Sequence, residues 1–265
     1  MVRKIKEKVF NGKSKIENFF DQLRRSFAIA KKDLKIYYNK GPVVIQGIAF
    51  PIMLFLAFVV GRNITPIYII SGLTCMVLFL TSTSIGPVVF PWETRQKTLE
   101  RLITCPISIK TILLGNVWSS FLFGCIFSVV PLILGMLVYG LWKSINILIV
   151  FLAIIIASFA FSSFSLILSV PPTDTPANTM ILTILIKFPL IFVSPLFTPI
   201  TLDPIVLISP LSYFLDLINA GLGKTSGFGE YGLLIDFGVL LIFGFFFLFL
   251  SFFLHGKMLQ KRFKG

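Results

Sequence analysis

The chain has 265 residues, 56% of them hydrophobic and only 13% charged, with 24 Lys and Arg against 11 Asp and Glu for a formal charge of +13. A soluble domain carries about 25% charged residues, so this composition excludes a water-soluble fold and places the protein in a membrane. The basic excess lies beside apolar runs, which assigns it to the cytoplasmic membrane face and speaks against nucleic acid as a partner.

Residues 1–42 form a basic segment in which Phe20, Leu23, Phe27, Ala30, Leu34 and Tyr38 recur at three- and four-residue spacing. That spacing predicts an amphipathic helix. Arg24, Arg25, Lys31, Lys32 and Lys35 fall off the stripe, so the helix is expected to lie in the headgroup plane, with packing on a soluble partner as the alternative. The segment lacks a short apolar core, and no cleavable signal peptide is expected from it. Gly41-Pro42 breaks the helix before the first apolar run.

A spanning helix needs about 20 apolar residues. Six runs fit, at 43–60, 66–90, 109–140, 146–170, 179–198 and 232–254. They predict an all-α integral membrane protein, with a transmembrane domain over 43–254 and a basic tail at 255–265. The run 109–140 exceeds what a bilayer demands, so its first turns are expected to project into the cytoplasm, with Ser108 as N-cap. Twenty of the 24 Lys and Arg lie in the N-terminal segment, the stretch 91–110 after the second run and the tail. Only Arg62, Lys143 and Lys224 lie on the other side. Both termini are therefore expected in the cytoplasm.

The connection 91–108 holds Glu93, Arg95, Lys97, Glu100 and Arg101, and Trp92, Leu99, Leu102 and Ile103 share a helical face. Glu93 and Lys97 stand four apart as a supporting pair, and Pro106 stops the helix. A short amphipathic cytoplasmic helix is predicted, either docking on a cytoplasmic partner or lying flat on the membrane. Residues 199–231 are too apolar for a solvated loop and too few for two further spans. One or two short helices dipping into the outer leaflet are expected there, a re-entrant segment before the last span.

Little in the chain suggests catalysis. "GLGKT" (Gly221–Thr225) fails as a phosphate loop, because Ile218 stands where the first glycine belongs. Cys75, Cys105 and Cys125 make no metal-ligand spacing, His255 is the only histidine, and Asp174 has no partner at helical spacing. Neither a catalytic set nor a metal site is expected. Lys187 and Asp236 are the ionisable groups within spans. Lys187 is expected to snorkel to the cytoplasmic headgroups; the alternative is that it faces a lumen and meets an anionic substrate group.

"ETRQKTLERLITCPISIKTILLGN" (Glu93–Asn116) resembles the cytoplasmic signature of the ABC-2 type transporter permeases. Glu93, Arg95, Thr98, Leu99, Glu100, Leu102, Pro106 and Ser108 fall into that pattern. Lys97 departs from it, since the family commonly has Gly there; a continuous helix is still expected. "SPLSYFLDLINAG" (Ser209–Gly221) is similar to the family's segment before the last span through Pro210, Leu211, Tyr213 and Asp216, with Asn219 where an Arg is frequent. The resemblance implies the permease subunit of an ATP-binding cassette exporter in the plasma membrane. It implies pairing with a second copy or a homologous permease. It also implies separate ATPase subunits that bind ATP and Mg, with no cofactor on this chain. Residues 91–108, Arg101 included, would be the coupling helix to those subunits, with Leu99 and Leu102 as apolar anchors. Relatives move drugs, lipids, glycans or ions. The rival reading is an ATPase-independent carrier or scaffold.

Overall fold

The computed structural model describes residues 19–37, 41–45, 49–60, 65–105, 107–140, 145–170, 176–196, 205–229 and 231–264. Every regular element among them is helical. In chain order these are α1 (Phe19–Tyr37), α2 (Gly41–Val44), α3 (Phe50–Val59), α4 (Pro66–Ser82), α5 (Gly86–Arg95), α6 (Thr98–Thr104), α7 (Ile109–Tyr139), α8 (Ile147–Leu168) and α9 (Pro176–Val193). A 3-10 turn at Val206–Ile208 then leads to α10 (Pro210–Gly221) and α11 (Gly232–Lys264).

Four stretches among the described residues are long and apolar enough to cross a membrane: Pro66–Arg95, Ile109–Tyr139, Ile147–Leu168 and Gly232–Met258. Of the first apolar run the structure describes the end of α2 and the ten-residue α3, with 46–48 outside the described residues. The fifth is represented by α9, whose apolar part is the shorter Asn178–Val193.

The run 66–90, expected as one span, lies within the single candidate span Pro66–Arg95, which is built of two helices. Pro87 stands in the first turn of α5, where it has no N–H to give to the preceding turn. Gly86 N–H bonds the Ser165 hydroxyl of α8 instead, at 3.1 Å. The Thr83 and Ser84 hydroxyls donate back to the carbonyls of Phe79 and Thr81, so the polar groups freed at the break are met locally. The expected N-cap forms, Ser108 accepting from Thr111 N–H at 3.1 Å, and α7 ends with Gly140 in the left-handed region, φ +67°.

The centre of the bundle is α4, packed against α7, α8 and α10. Its contacts rely on small residues. A Cβ on Gly124 of α7 would meet Ser82 Oγ at 1.8 Å, and one on Gly135 would meet Ile70 Cγ1 at 2.3 Å. Close approach of this kind is how helices associate where no water drives them together. Phe79, Phe161 and Phe214 then stack edge to face through the core, with centroids 5.1 and 6.1 Å apart. The opposite faces of α7 and α11 expose Val130, Leu134, Leu137, Ile242, Phe246 and Phe249, as a lipid-facing surface does.

α10 has twelve residues, about 18 Å of rise, too short to span. It is buried against α4, α8 and α11. α11 runs unbroken through Lys264, so the basic tail at 255–265 continues the last helix over its described part.

Candidate coupling surface

α4 begins at the end of the bundle that holds α10, and α5 ends at the opposite one, where α6, the start of α7 and α1 gather. This second end carries the residues of the 91–108 connection.

The connection is not a single helix. Trp92, Glu93 and Arg95 form the last turn of α5, Gln96 and Lys97 make a turn, and α6 starts at Thr98. Lys97 has φ +56°, the only non-glycine residue with positive φ among those described. A side chain in that region meets the following carbonyl. The expected continuous helix is therefore corrected, and the departure from the family's glycine falls at the one position where glycine is the natural residue. The Thr98 hydroxyl donates to Glu93 C=O at 3.2 Å and ties the turn.

Glu93 does not pair with Lys97. Its side chain is 3% exposed and bonds Lys32 Nζ of α1, 61 residues away. Lys32 Nζ also lies 3.1 Å from Asp33 Oδ1, and its own side chain is 30% exposed. Burial opposes the Lys32 charge, but the two carboxylates outweigh it, Asp33 first, and hold the ammonium above its usual range. Burial pushes the Asp33 carboxyl up to about 7; Lys32 opposes that rise and Glu93 adds to it. Asp33 is thus poised between charged and neutral near physiological pH.

α1 packs along α7. Its buried positions are Ser26, Ile29, Ala30 and Asp33, while Phe27, on the expected stripe, is exposed and stacks on Trp118 at 4.7 Å. The rotation has a cause at Gly115 of α7, where a Cβ would stand 2.7 Å from Ile29 Cβ. The notch admits Ile29 and turns Asp33, one turn on, inward. α1 is thus seated on this chain as well as carrying a basic outer face.

Leu99 is 7% exposed and packs with Phe90, Leu113, Val117 and Leu166. It anchors α6 to its own bundle, which revises its expected part as an apolar contact to a partner. Leu102 is half-buried. The face left outward carries Arg95, Gln96, Lys97, Arg101, Thr104 and Cys105. Glu100 lies within α6 with its side chain outside the described set, and Pro106 lies outside the described residues.

The second group of expected residues sits at the far end. Pro210 opens α10 and Leu211 is in the core. Tyr213 OH donates to Leu207 C=O at 2.9 Å and stacks on Phe228 with centroids 5.7 Å apart. Asp216 accepts from the Ser226 hydroxyl at 2.6 Å and from Gly227 N–H at 3.0 Å. These bonds fold residues 226–227, after α10, back over it.

Lys187 joins neither group. It is 2% exposed on the buried stripe Thr179, Thr183, Lys187 and Ile191 of α9, and its Nζ has no hydrogen-bond partner among the described residues. The expected snorkelling is overturned: the ammonium ends inside the chain. α9 packs chiefly on α5, which fixes that face inward.

Sequence reasoning missed Lys32 and Asp33 as partners of the connection, because no local periodicity links residues 61 apart. The family model of the ABC-2 type transporter matches residues 24–222 of this chain, from within α1 to the end of α10. No curated protein is matched.

Proposed function

Because the chain belongs to the ABC-2 type transporter family, we propose that it is the membrane-spanning subunit of an ATP-binding cassette exporter, driven by separate ATPase subunits that bind ATP and Mg. In this reading it has six spans, with α3 and α9 as parts of the first and fifth. Both termini face the cytoplasm of a cell bounded by this plasma membrane, α10 is the re-entrant segment near the outer exit, and a second copy or homologous permease completes the pathway.

The observation that carries the reading is the construction of the α5–α6 corner. Leu99 fixes its inner side to the bundle, and the Glu93–Lys32 pair fixes α1 to it. The outer side leaves Arg95, Lys97 and Arg101 free of the core. A rigid basic corner is a surface for an acidic partner, and charge of this kind sets orientation and association rate. Force applied there would pass into α5 and α7 through packed side chains and into α1 through one ion pair.

The test is to purify the tagged chain with its associated proteins and measure Mg-ATP hydrolysis. Retention of the ATPase should fall when Arg95 and Arg101 are reversed to Glu, with the permease still inserted. Full transport by the chain without any ATPase would instead establish the carrier reading.

A further inference from the structure

α1 turns to the outside of the bundle a stripe that neither its seat on α7 nor its bond to Glu93 uses. Arg24, Phe27, Lys31 and Lys35 follow at three- and four-residue spacing, one helical face, and all four are exposed. None of the three cations has an ion-pair partner among the described residues. Asp33 and Glu93 do not offset them, since both are buried and held by Lys32. That leaves Asp21 as the exposed acid of α1.

α7 sets the depth of this stripe. Trp118 is half-buried, and its side of α7 continues as the exposed Ile126, Val129, Ile133 and Leu137, a lipid-facing surface. Trp118 and the exposed Tyr139 stand 21 residues apart, about 31 Å of helix rise. The hydrocarbon layer is about 30 Å thick, and Trp and Tyr gather at its two borders. Phe27 stacks on Trp118 with centroids 4.7 Å apart, and Trp118 meets Phe121 at 5.6 Å. The stripe therefore lies at the membrane border, with an aromatic flank at acyl-chain level and a cationic one at headgroup level. An acidic soluble partner would meet the cations but leave Phe27, 46% exposed, without an apolar contact. A zwitterionic lipid would cover Phe27 but leave three positive charges unbalanced. An anionic phospholipid meets both, and each Lys or Arg near an anionic surface is worth about fivefold in affinity.

We propose that the seam between α1 and α7 is a selective site for anionic phospholipid, with the headgroup on Arg24, Lys31 and Lys35 and the chains against Phe27 and Trp118. Its placement in the cytoplasmic leaflet rests on the orientation proposed above; the recognition does not. Lipid then holds α1 from its outer side while Glu93 holds it from within.

The full chain in phosphatidylcholine nanodiscs tests this, with dibrominated phosphatidylglycerol or dibrominated phosphatidylcholine added at matched mole fractions. Bromine on the acyl chains quenches nearby tryptophan, and a Trp118→Phe chain, which keeps a stacking ring, subtracts the other tryptophans. Trp118 should be quenched by brominated phosphatidylglycerol at about a tenth of the mole fraction, or less, that brominated phosphatidylcholine needs. The preference should shrink in 1 M NaCl, where the screening length is about 3 Å. Arg24→Gln, Lys31→Gln and Lys35→Gln together should bring the two lipids within about twofold of each other. Lys31→Gln alone should lower the preference by about two- to fivefold and covers the case in which the triple variant inserts poorly. Equal quenching by the two lipids in wild type overturns the proposal, as does a preference that survives the triple substitution. If it survives and the triple variant loses its ATPase instead, the stripe is a protein dock. A failure here leaves the ATPase test above untouched, because that test reads Arg95 and Arg101.

Discussion

Replacing Lys32 by Met should do more harm than replacing Glu93 by Gln, although both break the same ion pair. At about 3 Å and an effective dielectric near 20, two unit charges attract by about 5–6 kcal/mol. Desolvation of the nearly buried Glu93 cancels much of that. Lys32→Met leaves Glu93 and Asp33, both buried, facing each other without a cation. Stranding a buried charge costs about 3–5 kcal/mol. Glu93→Gln leaves Lys32 with Asp33 and with solvent over part of its side chain, so about 1.5–3 kcal/mol is expected, the scale of a lost charged hydrogen bond. The double variant should recover stability relative to Lys32→Met, and the cycle should return a coupling of about 1.5–3 kcal/mol. The assay is urea or thermal unfolding in matched detergent, read together with protease access to α1. If the single effects are equal and simply add, the pair does not hold α1 to the coupling corner.

Asp33→Asn should flatten a pH dependence. With its carboxyl at about 7 in the folded chain and about 4 unfolded, the native state holds a proton that the unfolded state has lost between those values. Stability then falls as pH rises from 4 to 7 and levels off above 7; the Asn variant should be flat over that window and more stable than wild type at pH 8 by thermal unfolding. Lys97→Gly should stabilise the chain by about 0.5–1 kcal/mol in the same assay, because relief of the left-handed strain exceeds the entropy lost. Leu99→Ala should cost about 2–4 kcal/mol of permease stability itself, as truncation of a buried leucine does; loss of ATPase binding with unchanged stability would refute its place in the core. Impermeant thiol reagents added to sealed cells should label Thr225→Cys and spare the exposed Cys105, and labelling of Cys105 would invert the proposed orientation.

The sequence alone determined what depends on neighbours along the chain. Long apolar runs must be helices in a membrane because their backbone groups have no water to bond, and α7, α8 and α11 follow the expected runs closely. Ser108 and Gly140 bound α7 for reasons local to one turn. Even the turn at Lys97 is half visible in the sequence, as a lysine where the family commonly has glycine.

What only the tertiary structure decided are side-chain fates fixed by contacts across the bundle. The face α1 buries was set by the notch at Gly115, 86 residues beyond Ile29, and not by the most apolar stripe. Glu93 took Lys32 rather than Lys97 because the Lys97 turn rotates the helix that would have paired them. Lys187 lies inside because the small polar face of its helix packs on α5, and no count of residues from the membrane edge encodes that. In a chain this apolar, hydrophobicity says which segments enter the membrane but hardly ranks one face above another. The facing is left to small residues, close approach and single ion pairs, which meet only when the helices have assembled.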